Sequence, residues 1–261
     1  MLVVGCDLGA LTAKAVVLED GAILGCEIIR SRASADQTAA EVVDGLLARH
    51  GISWGDIDCC VGTGYGRKIV PFADQNISEI SCHARGARWL MPGVRTVIDG
   101  GGQDCKVITL DENGLLADFR MNMKCAAGTG RALELMAQSL GVDVSQLGPL
   151  SLKASQPVVL REHCCILAQV EIRRLVFEGR DKADIAAGVN DFAARQIMNL
   201  VRDVDVEPEI AITGGIAKNI GVVHCLERAL GRKLVHLPED PQLVGAIGAA
   251  LFAADRAGKP G

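Results

Sequence analysis

Three glycine-rich stretches of the chain carry residue types that can bind phosphate. They are GCDLGALTAK at 5–14, DGGGQD at 99–104 and TGGIAKN at 213–219. Glycine removes the side chain and permits positive φ, so the backbone N–H groups of such turns can approach an anion closely. Any one of these stretches could be an ordinary turn, but the three in this order favour a common phosphate site.

Carboxylates and a lysine stand beside these turns. Asp7, Asp99 and Asp104 would repel phosphate unless a cation lay between them. Mg²⁺, bound by one or two carboxylates together with phosphate oxygens, removes this repulsion, and Lys14 can neutralise phosphate directly. The chain contains neither the GxxxxGK[ST] loop nor the GxGxxG dinucleotide fingerprint, so those two nucleotide folds are not indicated.

Two of the ten cysteines, Cys125 and Cys164, each precede a helical pattern. The N–H groups and the dipole at a helix N-terminus stabilise a thiolate and favour metal ligation. A [4Fe–4S] cluster needs four thiolates, so two copies of the chain related by a two-fold axis would have to share it. From the residues alone, two unreactive cysteines fit as well. Cys165 and His163 are alternative ligands beside Cys164.

Hydrophobic periodicity predicts the elements that position these residues. The first 30 residues read as three strands joined by tight turns, and the same strand–turn–strand pattern returns at 94–119, which suggests an internal duplication. No pair of cysteines has the CxxC spacing of a zinc ribbon. The remaining predicted strands are at 57–63, 209–215 and 233–238, and the predicted helices are at 34–50, 78–90, about 128–141, 165–178, 184–203, after 215 to about 230, and 243–254.

Strands grouped before helices in each half predict an α/β fold with two mixed sheets covered by helices. We expect residues 1–92 to form a first lobe, joined by the C-terminal helix 243–261, and residues 93–242 to form a second lobe that carries both cysteines. A cleft between two lobes is a favoured place for a ligand.

Composition excludes several classes of protein. The formal net charge is −5 and aromatic residues make up only 3%, so we expect no nucleic-acid partner. No run approaches 18 apolar residues, so we expect no membrane span. The N-terminus lacks a basic region before its apolar run, which predicts a cytoplasmic location, where a disulfide framework is improbable.

The two Asp–x–Gly hairpins and the later strand–Gly–Gly–helix pattern resemble the actin, sugar-kinase and heat-shock ATPase superfamily, which has a ribonuclease H-like fold in two lobes. This resemblance implies that the first two turns bind phosphates and that the third binds adenosine. Asp7 and Asp99 would face Mg²⁺, Gly214 and Gly215 would lie against the nucleoside, and Gln242 would be a neighbour of adenine.

Five motifs resemble one family within that superfamily, the activators of 2-hydroxyacyl-CoA dehydratases, which also includes the ATP-binding subunits of benzoyl-CoA reductase. The resemblance implies a homodimer with one bridging [4Fe–4S] cluster, ATP hydrolysis that drives out one low-potential electron, a partner iron–sulfur dehydratase or reductase, and ferredoxin or flavodoxin as the electron donor. The motifs are GYGR (64–67), ISEISCHARGA (77–87), VIDGGGQDCKVI (97–108), MNMKCAAGTGR (121–131) and AITGGIAKN (211–219).

The resemblance assigns roles residue by residue. Cys125 and Cys164 would bind the cluster, with Cys164 preferred to Cys165 because the family pattern after the ligand fits residues 166–171. The implied catalytic residues are Asp7, Asp99, Gln103 and Asp104. The implied ATP/ADP-binding residues are Gly9, Ala10, Leu11, Thr12, Ala13, Lys14, Gly101, Gly102, Gln103, Gly214, Gly215, Ala217 and Gln242.

The chain departs from the family at the first phosphate turn. Ala10 and Leu11 stand where hydroxyl residues are usual, and Thr12 is the nearest hydroxyl. This departure predicts a weaker grip on phosphate. Two alternative functions therefore remain: a small-molecule kinase on the same fold, and a redox-sensing module that binds ATP without hydrolysing it.

Overall fold

The computed structural model describes residues 1–122 and 129–258, and the strands within them form two mixed sheets. The first sheet has five strands in the order β3-β2-β1-β4-β5, and the second has four in the order β8-β7-β6-β9. The strands are β1 Leu2–Leu8, β2 Thr12–Glu19, β3 Ala22–Arg30, β4 Cys59–Thr63, β5 Gln75–Asn76, β6 Thr96–Gly100, β7 Cys105–Leu110, β8 Leu116–Met121 and β9 Ile210–Gly214.

Helices flank both sheets. Short 3₁₀ helices at Trp54–Asp56, Arg67–Ile69 and Gly215–Lys218 lie in the connections. Within the described ranges, no helix is both long and apolar enough to cross a membrane. The α-helices are α1 Ala35–His50, α2 Glu79–Leu90, α3 Gly130–Leu140, α4 Val144–Ser151, α5 Cys165–Phe177, α6 Lys182–Val201, α7 Ile220–Leu230 and α8 Val244–Ala257.

The two sheets repeat one arrangement, as the duplicated sequence pattern predicts. In each sheet three consecutive strands form an antiparallel meander, and its first strand pairs on the other side with a later, parallel strand. The registers match in detail, since Asp7 lies opposite Lys14 and Asp99 lies opposite Lys106. The predicted class, duplicated mixed sheets flanked by helices, is confirmed.

Helices α2 and α8 lie between the two sheets. Helix α8 shares a core with first-sheet residues that include Val3 and Val61, whereas Ala87 of α2 shares a core with Val97 of the second sheet. The two helices pack closely because glycine faces backbone: a Cβ at Gly248 would lie 1.8 Å from the carbonyl oxygen of Cys82. The lobe boundary at residues 92 and 93 stays a prediction.

Two elements differ from the sequence prediction. The segment 233–238 is not a strand, because only Val235 pairs with the second sheet, through a single bridge to Ala211, before Pro238 ends the extended run. Helix α4 is absent from the prediction, since Gly148 and Pro149 obscure its pattern. Its start carries a capping box, in which the Gln146 side-chain oxygen accepts from the Asp143 N–H at 2.9 Å and the Asp143 carboxylate accepts from the Gln146 N–H.

Candidate functional site

The first glycine turn joins β1 to β2 and holds an ion pair. Asp7 and Lys14 occupy opposite positions of the ladder, and Lys14 Nζ lies 3.2 Å from Asp7 Oδ2. Both side chains are nearly buried. The turn between them is closed by a hydrogen bond from the Gly9 N–H to the Thr12 carbonyl at 3.1 Å. A fixed backbone turn therefore lies beside a carboxylate and an ammonium group.

The second glycine turn repeats this arrangement with two more carboxylates. Lys106 Nζ lies 2.5 Å from Asp104 Oδ1 and 3.6 Å from Asp99 Oδ2. Glu79, the first residue of α2, lies 3.9 Å from the same ammonium group. The Gly101 N–H closes this turn on the Asp104 carbonyl at 3.0 Å. Lys106 thus balances carboxylates from three elements.

Electrostatics favour the charged forms of this cluster. Burial alone would raise the pKa of Asp99, but His83, Lys106 and a hydrogen bond from the Thr213 hydroxyl lower that pKa below its usual value. Burial alone would lower the pKa of Lys106, but Asp99, Asp104 and Glu79 raise it. The carboxylate and the ammonium group are therefore both ionised at neutral pH.

The third turn closes the site from the second sheet. Gly214 ends β9 with φ of 79°, and a Cβ there would lie 2.4 Å from the Gly100 carbonyl, so only glycine fits. The Gly214 N–H donates to the Pro241 carbonyl at 2.8 Å. Next to Pro241, the Gln242 amide points to the first turn and lies 3.4 Å from the Thr12 hydroxyl.

All three turns line one cavity of about 370 Å³. Of the sixteen residues assigned to catalysis or nucleotide binding, fourteen line this cavity, and Ala13 and Ala217 do not. The predicted residues on the cavity wall are Asp7, Gly9, Ala10, Leu11, Thr12, Lys14, Asp99, Gly101, Gly102, Gln103, Asp104, Gly214, Gly215 and Gln242.

Two assigned residues lie away from the cavity wall. Ala13 is fully buried in the core of the first sheet, because alternation along β2 turns it away from the face of Thr12 and Lys14. Ala217 packs against the core of the second half. Any contact of these residues with a ligand would therefore have to be made through the backbone.

Of the two cysteines assigned to the cluster, Cys164 does not line the cavity. Cys125 lies outside the described residues. Cys164 is the N-cap of α5 and is partly exposed, and the backbone N–H groups of Leu167 and Ile166 in the first turn of the helix lower the pKa of its thiol. Cys165 packs against the core instead, and His163 is exposed.

Several cavity residues were not selected from the sequence. Lys106 could have been found, because its distance from Asp99 equals that of Lys14 from Asp7, seven positions in each hairpin of the duplication. Glu79 and His83 carry no such signal, since α2 brings them to the cavity from a different part of the chain. The presence of these two side chains in the cavity therefore depends on how α2 packs against the rest of the molecule.

The duplicated sheets and the cleft define the class of protein: a two-lobed ATPase with the actin-like and sugar-kinase fold. A glucokinase of the ROK family from Streptomyces griseus, solved with glucose and AMPPNP, shares this fold with a TM-score of 0.57 at 14% identity, covering 98% of this chain and 100% of that one. At this identity the likeness concerns the fold alone.

The profile of the BadF/BadG/BcrA/BcrD ATPase family matches residues 4–253, and the chain belongs to that family. The activator of 2-hydroxyisocaproyl-CoA dehydratase from Clostridium difficile, solved with bound ADPNP, is 40% identical with a TM-score of 0.94, covering 98% of this chain and 96% of that one. The (R)-2-hydroxyglutaryl-CoA dehydratase activating ATPase of Acidaminococcus fermentans is 38% identical over 98% of each chain. The predicted family and the predicted ATPase class are confirmed.

Proposed function

We propose that two copies of this chain form an ATP-hydrolysing activator that delivers one low-potential electron to a partner iron–sulfur dehydratase or reductase in the cytoplasm. The observation that carries the proposal is the presence, in one chain, of a carboxylate–lysine cleft and a thiolate-favouring cysteine at a helix N-terminus. A kinase of this fold needs the cleft but has no use for Cys164.

In the nucleotide cleft, the turns at 9–12 and 101–104 would bind the phosphates with their backbone N–H groups. The oxygens of Asp7 and Asp99 are the hard ligands that Mg²⁺ prefers, and both carboxylates face the cavity. Lys14 and Lys106 hold these carboxylates in place. Gln103 and Asp104, on the same turn, are the residues we assign to the hydrolytic step, beside the departing phosphate.

Cys164 fits an iron–sulfur cluster in its chemistry. The residue is partly exposed, and the backbone N–H groups of the first turn of α5 favour the thiolate that ligation requires. No group of three or more metal-ligating residues occurs within 1–122 and 129–258. We assign the ligands to Cys125 and Cys164 of both copies, as the family resemblance implies. When bound, the cluster supplies the one-electron redox chemistry.

The partners follow from that chemistry. The relatives named above activate 2-hydroxyacyl-CoA dehydratases, and we extend this role to the chain as the electron donor of such an enzyme or of a reductase like benzoyl-CoA reductase. A reduced ferredoxin or flavodoxin would return the activator to its reduced state. Each cycle then couples hydrolysis of ATP at the cleft to the passage of one electron.

Replacement of single cysteines tests the cluster assignment. Protein purified without oxygen should contain about two iron atoms per chain, which is one [4Fe–4S] cluster per dimer. Cys164→Ala and Cys125→Ala should lose this iron and its absorbance while ATP binding survives. Cys165→Ala is the matched control and should keep the iron. A full cluster in Cys164→Ala would overturn the assignment.

A second candidate function rests on the first turn. Ala10 and Leu11 line the cavity without hydroxyl groups, which favours a module that binds ATP and does not hydrolyse it. Phosphate release by the anaerobic, iron-loaded protein separates the two candidates. Sustained release without an added phosphoryl acceptor supports the activator, whereas tight nucleotide binding without release supports the sensing module.

A further inference from the structure

Three buried side chains form a hydrogen-bond relay that ends on the Asp99 carboxylate. The hydroxyl of Thr213 donates to Asp99 Oδ1 at 3.1 Å, and the same hydroxyl lies 3.0 Å from Nδ1 of His83. Asp99 and Thr213 lie opposite each other in β6 and β9, whereas His83 comes from α2. A side chain of an earlier helix therefore reaches this carboxylate through a single hydroxyl group.

The chemistry of these groups fixes the direction of the relay. A hydroxyl has one hydrogen, and Thr213 gives it to Asp99, which as a carboxylate can only accept. In the contact with His83, Nδ1–H must then be the donor and the Thr213 oxygen the acceptor. Because Nδ1 carries a hydrogen both in this neutral tautomer and in the imidazolium ion, the relay does not depend on the charge of the ring.

Helix α8 packs against the other edge of the His83 ring. A Cβ at Gly245 would lie 2.8 Å from Nε2 of His83 and 3.0 Å from Oδ2 of Asp7, so a residue without a side chain fits best here. The ring is thus packed between Thr213 on one edge and α8 on the other. The position of its Nδ1 is therefore set jointly by α2 and α8.

The corresponding position of the first sheet differs. Thr63 lies opposite Asp7 in the parallel pair of β1 and β4, as Thr213 lies opposite Asp99 in the pair of β6 and β9. Among the residues that the structure describes, the buried Thr63 hydroxyl makes no hydrogen bond to Asp7, which is paired with Lys14. The relay is therefore not a general consequence of the strand pairing, and the two carboxylates are held in different ways.

We propose that His83 and Thr213 are positioning residues that orient the Asp99 carboxylate for a Mg²⁺–nucleotide. The Thr213 hydroxyl holds Oδ1, and Lys106 Nζ lies 3.6 Å from Oδ2, so both oxygens of Asp99 are restrained. A carboxylate that is already oriented loses less freedom when it meets a hard cation. The inference rests on the proposed function, because it takes Asp99 as a group that faces Mg²⁺.

The affinity of the iron-loaded protein for ADPNP, measured at a series of Mg²⁺ concentrations, tests the positioning role. Thr213→Val keeps the shape of the side chain and removes the hydroxyl. We expect half-maximal binding to require about tenfold more Mg²⁺, because a hydrogen bond to a charged group is lost. ADPNP affinity measured in EDTA should stay close to that of the wild type, whereas a general packing defect would lower it as well. Thr213→Ser keeps the hydroxyl and should restore the wild-type Mg²⁺ dependence.

Thr63→Val is the matched control, because it removes an equally buried hydroxyl from the corresponding position of the first sheet. This variant should keep the wild-type Mg²⁺ dependence. An unchanged Mg²⁺ dependence in Thr213→Val, or an equal change in Thr63→Val, overturns the inference and leaves the proposed function intact. Wild-type protein that binds ADPNP equally well with and without Mg²⁺ refutes the Mg²⁺ site of the proposed function, and the inference with it.

A pair of His83 variants tests the other end of the relay. In His83→Asn the amide nitrogen is separated from Cβ by the same number of bonds as Nδ1, so it can donate to Thr213. His83→Leu has no donor and should need as much additional Mg²⁺ as Thr213→Val, whereas His83→Asn should stay closer to the wild type. These two variants replace Thr213→Val if that protein does not fold. Equal Mg²⁺ dependence in both would contradict the role of Nδ1.

The hydrogen on Nδ1 of His83 gives a readout that needs neither Mg²⁺ nor nucleotide. In protein with isotope-labelled histidine, proton–nitrogen correlation spectra should show a protonated Nδ1 whose signal is missing from His83→Asn. Thr213→Val should speed the exchange of this hydrogen with water, because its acceptor is lost. A wild-type ring with its hydrogen on Nε2 alone would contradict the relay.

Discussion

At the scale of residues, the cleft depends on two lysines that each face a carboxylate across a hairpin. Lys14 lies opposite Asp7 and Lys106 lies opposite Asp99. Lys106 depends more strongly on its partners than Lys14 does, because its side chain is nearly buried and lies between three carboxylates. Burial of an ammonium group is tolerated only where opposite charges surround it.

Lys106→Met should strongly destabilise the protein. Removal of the ammonium group leaves Asp99 and Asp104 close together without their counter-charge, and loss of one partner of a buried pair costs about 3–5 kcal/mol. Urea denaturation measures the change in free energy of unfolding. Lys233→Met is the control, because Lys233 is 86% exposed and its ion pair with Glu227 is worth about 1 kcal/mol or less. Similar losses in both variants would contradict this account.

Asp99→Asn should flatten the acid limb of the stability curve. The folded protein lowers the pKa of Asp99, so the stabilisation that its charge provides is present above about pH 4, the unfolded pKa, and is lost as the pH falls through the folded pKa. The variant binds no proton at this position. The free energy of unfolding should be measured between about pH 5 and 2.5, roughly the range in which carboxylates titrate. In the variant it should fall less steeply with decreasing pH than in the wild type. Parallel curves would rule out this role of Asp99.

At the scale of elements, the contact between α2 and α8 joins the halves of the molecule. Glycines in both helices allow backbone to meet backbone: a Cβ at Gly86 would lie 2.2 Å from the Val244 carbonyl, and one at Gly248 would lie 1.8 Å from the Cys82 carbonyl. Helix α2 also carries His83 and Glu79 into the cleft. The spacing of these two helices therefore affects the geometry of the site.

Gly248→Ala should lower the free energy of unfolding by about 1–3 kcal/mol, because the new methyl group overlaps rigid backbone of α2. Gly45→Ala in α1 is the matched control, since no atom lies within 4 Å of its added Cβ. That variant should stabilise the protein by about 0.5–1 kcal/mol through the lower helix propensity of glycine. Thermal or urea denaturation of both variants should show a lower free energy of unfolding for Gly248→Ala and a higher one for Gly45→Ala.

At the scale of the whole molecule, the outer face of α5 is apolar and exposed. Ile166 is 67% exposed, Val170 is 61% exposed and Phe177 is 93% exposed. These side chains continue along the helix from Cys164, where the proposed cluster would meet the second copy. Exposed apolar surface of this kind is typical of an interaction site.

Ile166→Glu should weaken the proposed dimer and lower its iron content, because a charge two residues from Cys164 would be placed against the second copy. Sedimentation under anaerobic conditions and iron analysis measure both effects. Leu24→Glu, at an exposed apolar position of β3 in the first sheet, is the control and should remain dimeric with full iron. A dimer with wild-type iron in Ile166→Glu would place the shared site elsewhere.

Local patterns predicted most of the fold. The alternation in the first 30 residues matches β1 to β3, and the predicted helix at 78–90 matches α2, which Ser78 caps by accepting a hydrogen bond from the Ser81 N–H. Segment 233–238 was misread because an apolar run does not reveal whether a neighbouring strand is there to pair with it. Glu79 and His83 were missed because their spacing shows nothing about the cleft.

The sequence by itself determined the duplicated hairpins, the glycine turns and the position of Cys164 at a helix start, since these features depend on residues close together in the chain. Tertiary structure decided which charges meet. Glu79 joins Lys106 only because α2 is packed against the second sheet, and Gln242 reaches Thr12 only because α8 returns to the first. Contacts between distant segments depend on packing of their helices and sheets, which no local pattern encodes.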